Sequence, residues 1–278
     1  MEVGSMNHKT VDIDGALSIG WARFKKYPGL AIVGMLIYGI AILVSLIPVV
    51  NLVIITLVMP PIVGGLHIFF LKMTKDENHE IGDLFAGFSD YVRWLGVYWL
   101  FALIMLLCLI PAFICFGIVM IMTKGAQSAA MNGELGAVSG GLGAGAEILN
   151  MVGYAISLII YLIVIPRYGL CFFCAAEGAG AVESIKQSAE ITEGVRPMVL
   201  LAFIVFGIIY KIGFVACCVG AFVTVPVSII ALASVYLGLK GEKPQSASTY
   251  TYTPPEVPKP EETTQPTTEE TPPPSETE

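Results

Sequence analysis

The sequence predicts an all-α fold: a polytopic membrane helical bundle of about six transmembrane helices, in three units of amphipathic helix plus hairpin, followed by a disordered C-terminal tail. Three observations carry this expectation. Only 13% of the 278 residues are charged and 55% are hydrophobic, whereas soluble domains run near a quarter charged. The apolar residues come in runs of about 20–25 with almost no charge, long enough to cross about 30 Å of hydrocarbon as helix. Residues 242–278 then change character, holding nine of the chain's 17 prolines with many Thr and Glu and no apolar period.

Residues 1–28 read as a cytoplasmic N-terminus with an amphipathic helix. No short apolar core precedes a small-residue cleavage site, so the expectation is no cleavable signal peptide and a first span that acts as an uncleaved signal. Met6 is an alternative start. Residues 29–240 form the membrane domain, with spans expected at 29–49, 52–73, 95–121, 150–175, 198–216 and 219–239. The third is long and carries Pro111, which predicts a kink or an early end. A stretch rich in Gly, Ala and Ser at about 123–149 reads as a flexible external loop. Residues 241–278 read as a disordered Pro/Thr/Glu-rich cytoplasmic tail, unable to bury enough surface to offset chain entropy. The tail supplies −6 of the formal charge of −7, so the membrane part is nearly neutral.

Basic residues set the orientation. Lys9, Arg23, Lys25 and Lys26, then Lys72, Lys75 and Arg93, then Lys186 and Arg196, then Lys240, Lys243 and Lys259 fall on alternate segments, against Lys124 on the other side. The positive-inside rule makes the first group cytoplasmic and places both termini there, in a multi-pass protein of the cell membrane.

Each cytoplasmic segment before a hairpin starts with an acid and has an apolar face. Ile13, Leu17, Gly20, Trp21 and Phe24 form the first, between Asp14 and Lys25-Lys26. Ile81, Leu84, Phe85, Phe88, Tyr91 and Val92 form the second, between Asp83 and Arg93. Val182, Ile185, Ala189 and Thr192 form the third, with Glu183 early. Acid first and base last complements the helix dipole. Asp14 to Pro28 and Glu183 to Pro197 have the same spacing, which points to one unit used three times. These elbows either pack against neighbouring spans or rest in the interface with Arg23, Lys25 and Lys26 near lipid headgroups.

No motif carries recognisable chemistry. His8, His67 and His79 have no zinc-protease spacing, no phosphate-binding loop is present, and Gly141-Leu142-Gly143-Ala144-Gly145 follows no strand. Ser139-Gly140-Gly141 offers no nucleophile elbow. Cys108, Cys115, Cys171, Cys174, Cys217 and Cys218 all fall in expected spans and read as small packed hydrophobes, including the Cys171-x-x-Cys174 pair. The sequence therefore predicts no catalytic residues, no cofactor and no metal.

Two charges lie within spans, Arg167 and Lys211, both long enough to snorkel to an interface. Pro60-Pro61 with Gly64-Gly65 interrupts the second span, and Thr224 with Pro226 interrupts the sixth. Such breaks persist only where neighbours, hydroxyls or water take up the loose backbone groups, and matched breaks in repeats can mark a transport site. Both repeats enter from the same side, however, unlike the inverted repeats of alternating-access transporters.

Asp14-Gly-Ala-Leu-Ser-Ile-Gly-Trp21 leading to Phe24-Lys-Lys-Tyr-Pro28, then Gly82-Asp-Leu-Phe-Ala-Gly-Phe88, then Arg167-Tyr-Gly-Leu170 with Glu177-Gly, Glu183-Ser-Ile-Lys-Gln-Ser188 and Thr192-Glu-Gly194 carry a family resemblance. Over residues 11–240 the chain resembles a broad, uncharacterised group of six-helix prokaryotic integral membrane proteins, similar to the membrane domain of some glycerophosphoryl diester phosphodiesterases. The resemblance implies six helices and no catalytic domain.

Two function classes follow. The first is a non-enzymatic membrane scaffold or membrane-organising factor. The second is a permease or lipid or small-molecule carrier, with a site between the second and sixth helices bounded by Thr56, Pro60, Thr224 and Pro226 and with Arg167 available to an anionic headgroup. The expected partners are membrane lipids, anionic headgroups among them, and a cytoplasmic protein reached through the tail. Nucleic acid is not expected. An intramembrane enzyme has no visible nucleophile–base pair.

Overall fold

The structure, a computed structural model, describes residues 11–44, 46–131, 139–215 and 220–242. Cys217, Cys218 and the tail beyond Glu242 lie outside the described residues. Among the described residues there are helices and no strand. In chain order they are α1 (Ile13–Lys26), α2 (Pro28–Val44), α3 (Pro48–Val53), a π-helical turn (Ile54–Val58), α4 (Met59–Lys75), a 3-10 turn (Ile81–Phe85), α5 (Ala86–Ser89), α6 (Tyr91–Cys108), α7 (Ile110–Met131), α8 (Ser139–Tyr168), α9 (Cys171–Ala176), α10 (Ala181–Ile191), α11 (Arg196–Val215) and α12 (Ala221–Lys240).

Five of these segments are long and apolar enough to cross a membrane: Asn51–Lys75, Tyr91–Cys108, Gly145–Ala176, Arg196–Gly213 and Ala221–Lys240. A sixth results if α1 and α2, bent by 96° at Tyr27, count as one broken span. The bend has a local cause: α1, capped at its start by Asp12, which accepts from the Gly15 amide at 2.9 Å, ends at Tyr27, and Pro28 can start a new helix but cannot continue the old one. The chain is a multi-pass helical membrane protein.

Prolines also set the other breaks. The third expected span divides at Leu109, with Pro111 in the first turn of α7. Pro60 and Pro61 open α4, directly after the π-helical turn. At the far end of α4, Asp76 takes the left-handed conformation (φ 59°) and reverses the chain, the sole non-glycine with positive φ among the described residues.

The stretch expected as a flexible loop at about 123–149 is different. Helix α7 continues to Met131 and α8 begins at Ser139, leaving only residues 132–138 outside the described residues. Small residues let the two helices approach closely: Ser157 Oγ accepts from the Ala112 amide at 3.1 Å, and a Cβ on Gly153 would lie 2.7 Å from that of Cys115. Within the stretch itself Ala146 is buried at 6% exposure, and packing of this kind supports a helix whose hydropathy has no period.

Helix α12 lies at the centre: 67% of its span is buried, against 11% of the span that contains α8. One core cluster joins α12 to α9 and α11 through Tyr236, Phe173, Val199 and Phe206. A second joins it to α1, α2 and α4 through Ile230, Phe24, Met35 and Phe69. Helix α1 lies directly on α12, where a Cβ on Gly20 would come within 2.6 Å of the Val227 carbonyl. The expected faces are partly redrawn. Trp21 is 48% exposed while Ala16, Gly20, Arg23 and Phe24 are buried. On α10 the buried face is Ser184, Ser188 and Thr192, and Val182 points outward.

Candidate functional site

Two places gather the polar and strained features: the ends of α4 and α12, and the broken start of α4. At the helix ends, Glu177 follows α9 and accepts from three side chains. Lys75 Nζ lies 2.7 Å from Oε1. Tyr236 donates its hydroxyl to Oε2 at 2.6 Å, and Lys240 donates to the same oxygen. Glu242 adds contacts of 3.4 Å to Lys75 and 3.1 Å to Lys240. One carboxylate thus ties α4 to α12.

Asp76 makes a second knot, pairing with Arg23 at 2.5 Å and Lys26 at 2.9 Å. Lys72 pairs with Asp83 at 2.7 Å, and Asp83 also accepts from the Glu80 amide at 3.0 Å. Burial alone would raise the pKa of each of these three carboxyls, but their donors outweigh it. Lys240, Lys75 and Tyr236 hold Glu177 below the ordinary carboxylate range, Lys26 and Arg23 do so for Asp76, and Lys72 with the Glu80 amide does so for Asp83. A hollow of about 440 Å³ opens among Lys72, Lys75, Glu77, Glu177 and Lys240. Its three lysines each face a carboxylate, so no net positive charge is left over for an anion.

The second place is the break in α4. Pro60 and Pro61 have no N–H, so the Thr56 carbonyl lacks a helical donor both four residues on and, in the register of the π-helical turn, five residues on. Trp99 supplies the missing donor: its Nε1 lies 3.2 Å from the Thr56 oxygen. The chain that returns from Asp76 fills the rest. A Cβ on Gly87 would sit 1.9 Å from the Pro61 carbonyl, one on Gly65 would sit 1.8 Å from the Leu84 carbonyl, and one on Gly64 would meet the Trp94 ring at 2.2 Å. Together with Lys72–Asp83, these contacts pack residues 83–99 against α4 and the turn that precedes it.

The residues singled out in the sequence each have partners of their own. Thr56 Oγ1 donates to the Leu52 carbonyl of its own helical segment, and Thr224 donates to Gly220 in its own at 3.1 Å. Pro60 and Pro226 are buried, and Thr224 faces Gly213 of α11. Arg167 is exposed with its guanidinium 5.3 Å from the Tyr168 ring, while its carbonyl accepts from Ser188 at 2.9 Å. Of the three basic residues expected near headgroups, Arg23 is buried at 1% exposure and Lys26 is engaged by Asp76. Lys25 is exposed, with its ammonium 5.8 Å from the Trp21 ring. Cys171 and Cys174 are buried thiols at 0% and 1% exposure. Among the described residues no group of three His, Cys, Asp or Glu is placed to hold a metal ion.

Sequence reasoning misses Glu177 and Asp76 as organising residues. Glu177 enters only within a resembling motif, and Asp76 is not singled out. The chain matches no protein-family model, no curated protein and no solved structure.

Proposed function

We propose that the chain is a non-enzymatic membrane scaffold or membrane-organising factor of the cell membrane, with both termini in the cytoplasm. The observation that carries this reading is the occupied break in α4. The one interruption best suited to a transport site is filled by Leu84 and Gly87, and its loose carbonyl is taken by Trp99. The hydroxyls of Thr56 and Thr224 are likewise spent within their own helices.

In this reading the elbow segments are amphipathic and meet the membrane surface. Trp21, Phe85 and Val92 are 48%, 51% and 80% exposed, and Lys25 is exposed one helical turn from Trp21, whereas Arg93 is paired with Asp90 at 2.8 Å. Apolar side chains enter the headgroup boundary while Lys25 meets anionic lipid. The tail reaches a cytoplasmic protein partner. The resemblance to the phosphodiesterase membrane domain belongs to the same proposal, as a six-helix anchor without a catalytic domain.

The test is co-purification in mild detergent of the full chain and a version ending at Gly241, with bound proteins identified by mass spectrometry. The scaffold reading expects a protein partner that is lost with the tail. Identical protein partners for both versions would overturn it.

A further inference from the structure

At the opposite end of α12 from Glu177, α2, α11 and the first turns of α12 enclose a groove of about 330 Å³. Its walls include Met35, Tyr38, Gly39, Tyr210, Phe222 and Val225. The volume is within the range of ligand pockets, and apart from the two tyrosines the lining is apolar. The groove belongs to membrane-spanning helices, so the molecules that reach it first are lipids.

One charge neighbours a lining residue, without itself lining the groove. Lys211 follows the groove residue Tyr210, is exposed, and holds its ammonium 6.0 Å from the Tyr210 ring. It lies two residues from the end of the Arg196–Gly213 span, at a depth where a lysine reaches the headgroup layer. Gly39 is also informative: a Cβ there would meet no heavy atom within 4 Å, so the groove floor is open at that point.

We propose that this groove is a binding site for an anionic phospholipid, one acyl chain lying along Gly39 and Phe222 and the phosphate paired with Lys211. Apolar shape selects the chain and the single cation selects the headgroup. The lipid comes from the leaflet opposite the Glu177 and Asp76 ion pairs. The groove shares no residue with the tail or the elbows, so its test is independent of the truncation above.

The full chain is reconstituted in vesicles of phosphatidylglycerol and phosphatidylethanolamine at one to three, extracted in mild detergent, and its retained lipid counted by native mass spectrometry. The expected result is about one phosphatidylglycerol per chain. Gly39→Phe, which fills the groove, and Lys211→Gln, which removes the charge, each lower that retention at least fivefold. Lys211→Arg keeps it, and so does Gly29→Phe, which adds the same ring to α2 at another position open to a side chain. Melting temperatures of all four variants show that they are folded. Unchanged retention in either Gly39→Phe or Lys211→Gln overturns the proposal, as does an equal loss in Gly29→Phe.

Discussion

Trp99 gives its indole N–H to the Thr56 carbonyl at 3.2 Å, the acceptor that Pro60 and Pro61 leave without a helical donor. A proline in one helix is thus answered by a tryptophan from a later helix, whose bond spans 43 residues of chain. This pairing explains how an interrupted helix persists in a bundle: its loose backbone group is satisfied from the next unit of the chain.

Trp99→Phe keeps most of the apolar bulk and removes the donor, and should cost about 1 kcal/mol of stability. In a background with both Pro60→Ala and Pro61→Ala the new alanines supply an N–H in either helical register, so the same change should cost clearly less. Thermal melts of the four proteins in one detergent measure the difference. Equal losses in both backgrounds would mean that the bond is not what Trp99 contributes.

Gly65→Ala and Gly87→Ala place a methyl within 2 Å of a backbone carbonyl. Backbone cannot move aside as a flexible side chain can, so each should cost about 1–3 kcal/mol or more. Gly82→Ala, with nothing within 4 Å, should be close to neutral. Size-exclusion profiles and melting temperatures separate the two groups, and a well-folded Gly87→Ala protein with an unchanged melt would contradict the docking described for residues 84–87.

The Asp76 and Lys26 variants should differ in severity. Asp76→Ala takes away the carboxylate shared by a buried arginine and a lysine, and should cost about 3 kcal/mol. Lys26→Ala removes a partner that is 36% exposed and should cost at most about 1 kcal/mol. Denaturation midpoints give the order, and a larger loss for Lys26→Ala would reverse the assigned roles.

Glu177 makes stability depend on pH. Its donors lower its pKa in the folded state. A carboxylate whose pKa falls on folding contributes fully above its unfolded value, about 4.3, and loses that contribution as pH falls through the lower folded value. Glu177→Gln should therefore melt well below the wild type at pH 7, and the gap should narrow as pH drops below about 4. A gap that stays constant with pH would show that the Glu177 charge is not its source.

Much of the fold could be read in the sequence because bilayer thickness imposes a length and charge imposes a side. The apolar runs, the elbow positions and the proline breaks all follow from such local rules. What hydropathy does not contain is partnership. A glycine has no apolar side chain to register, so the docking of Gly87 on Pro61 is invisible to any periodicity. Ion pairs such as Lys75–Glu177 join residues 102 apart, and the sign of a charge does not say which opposite charge it meets. The helices through 110–131 and 139–168 show the converse, since Gly/Ala-rich sequence reads as loop until a neighbour offers it a surface. The candidate site was the least legible for this reason: hydropathy marks Thr56, Pro60, Thr224 and Pro226 as breaks but does not say which groups answer them, such as Trp99 at the Thr56 carbonyl.

Residues 83–99 along α4 also constrain how the protein is made. When only the first hairpin has left the ribosome, Thr56 has an empty acceptor and the notch above Pro61 is vacant. Both are completed by the second unit, and Glu177 and Lys240 arrive later still to fasten the end of α4. The repeats therefore resemble links in a chain more than interchangeable bricks: each is finished by the one that follows, and a nascent protein stalled after Lys75 would present an unfinished surface to the insertion machinery.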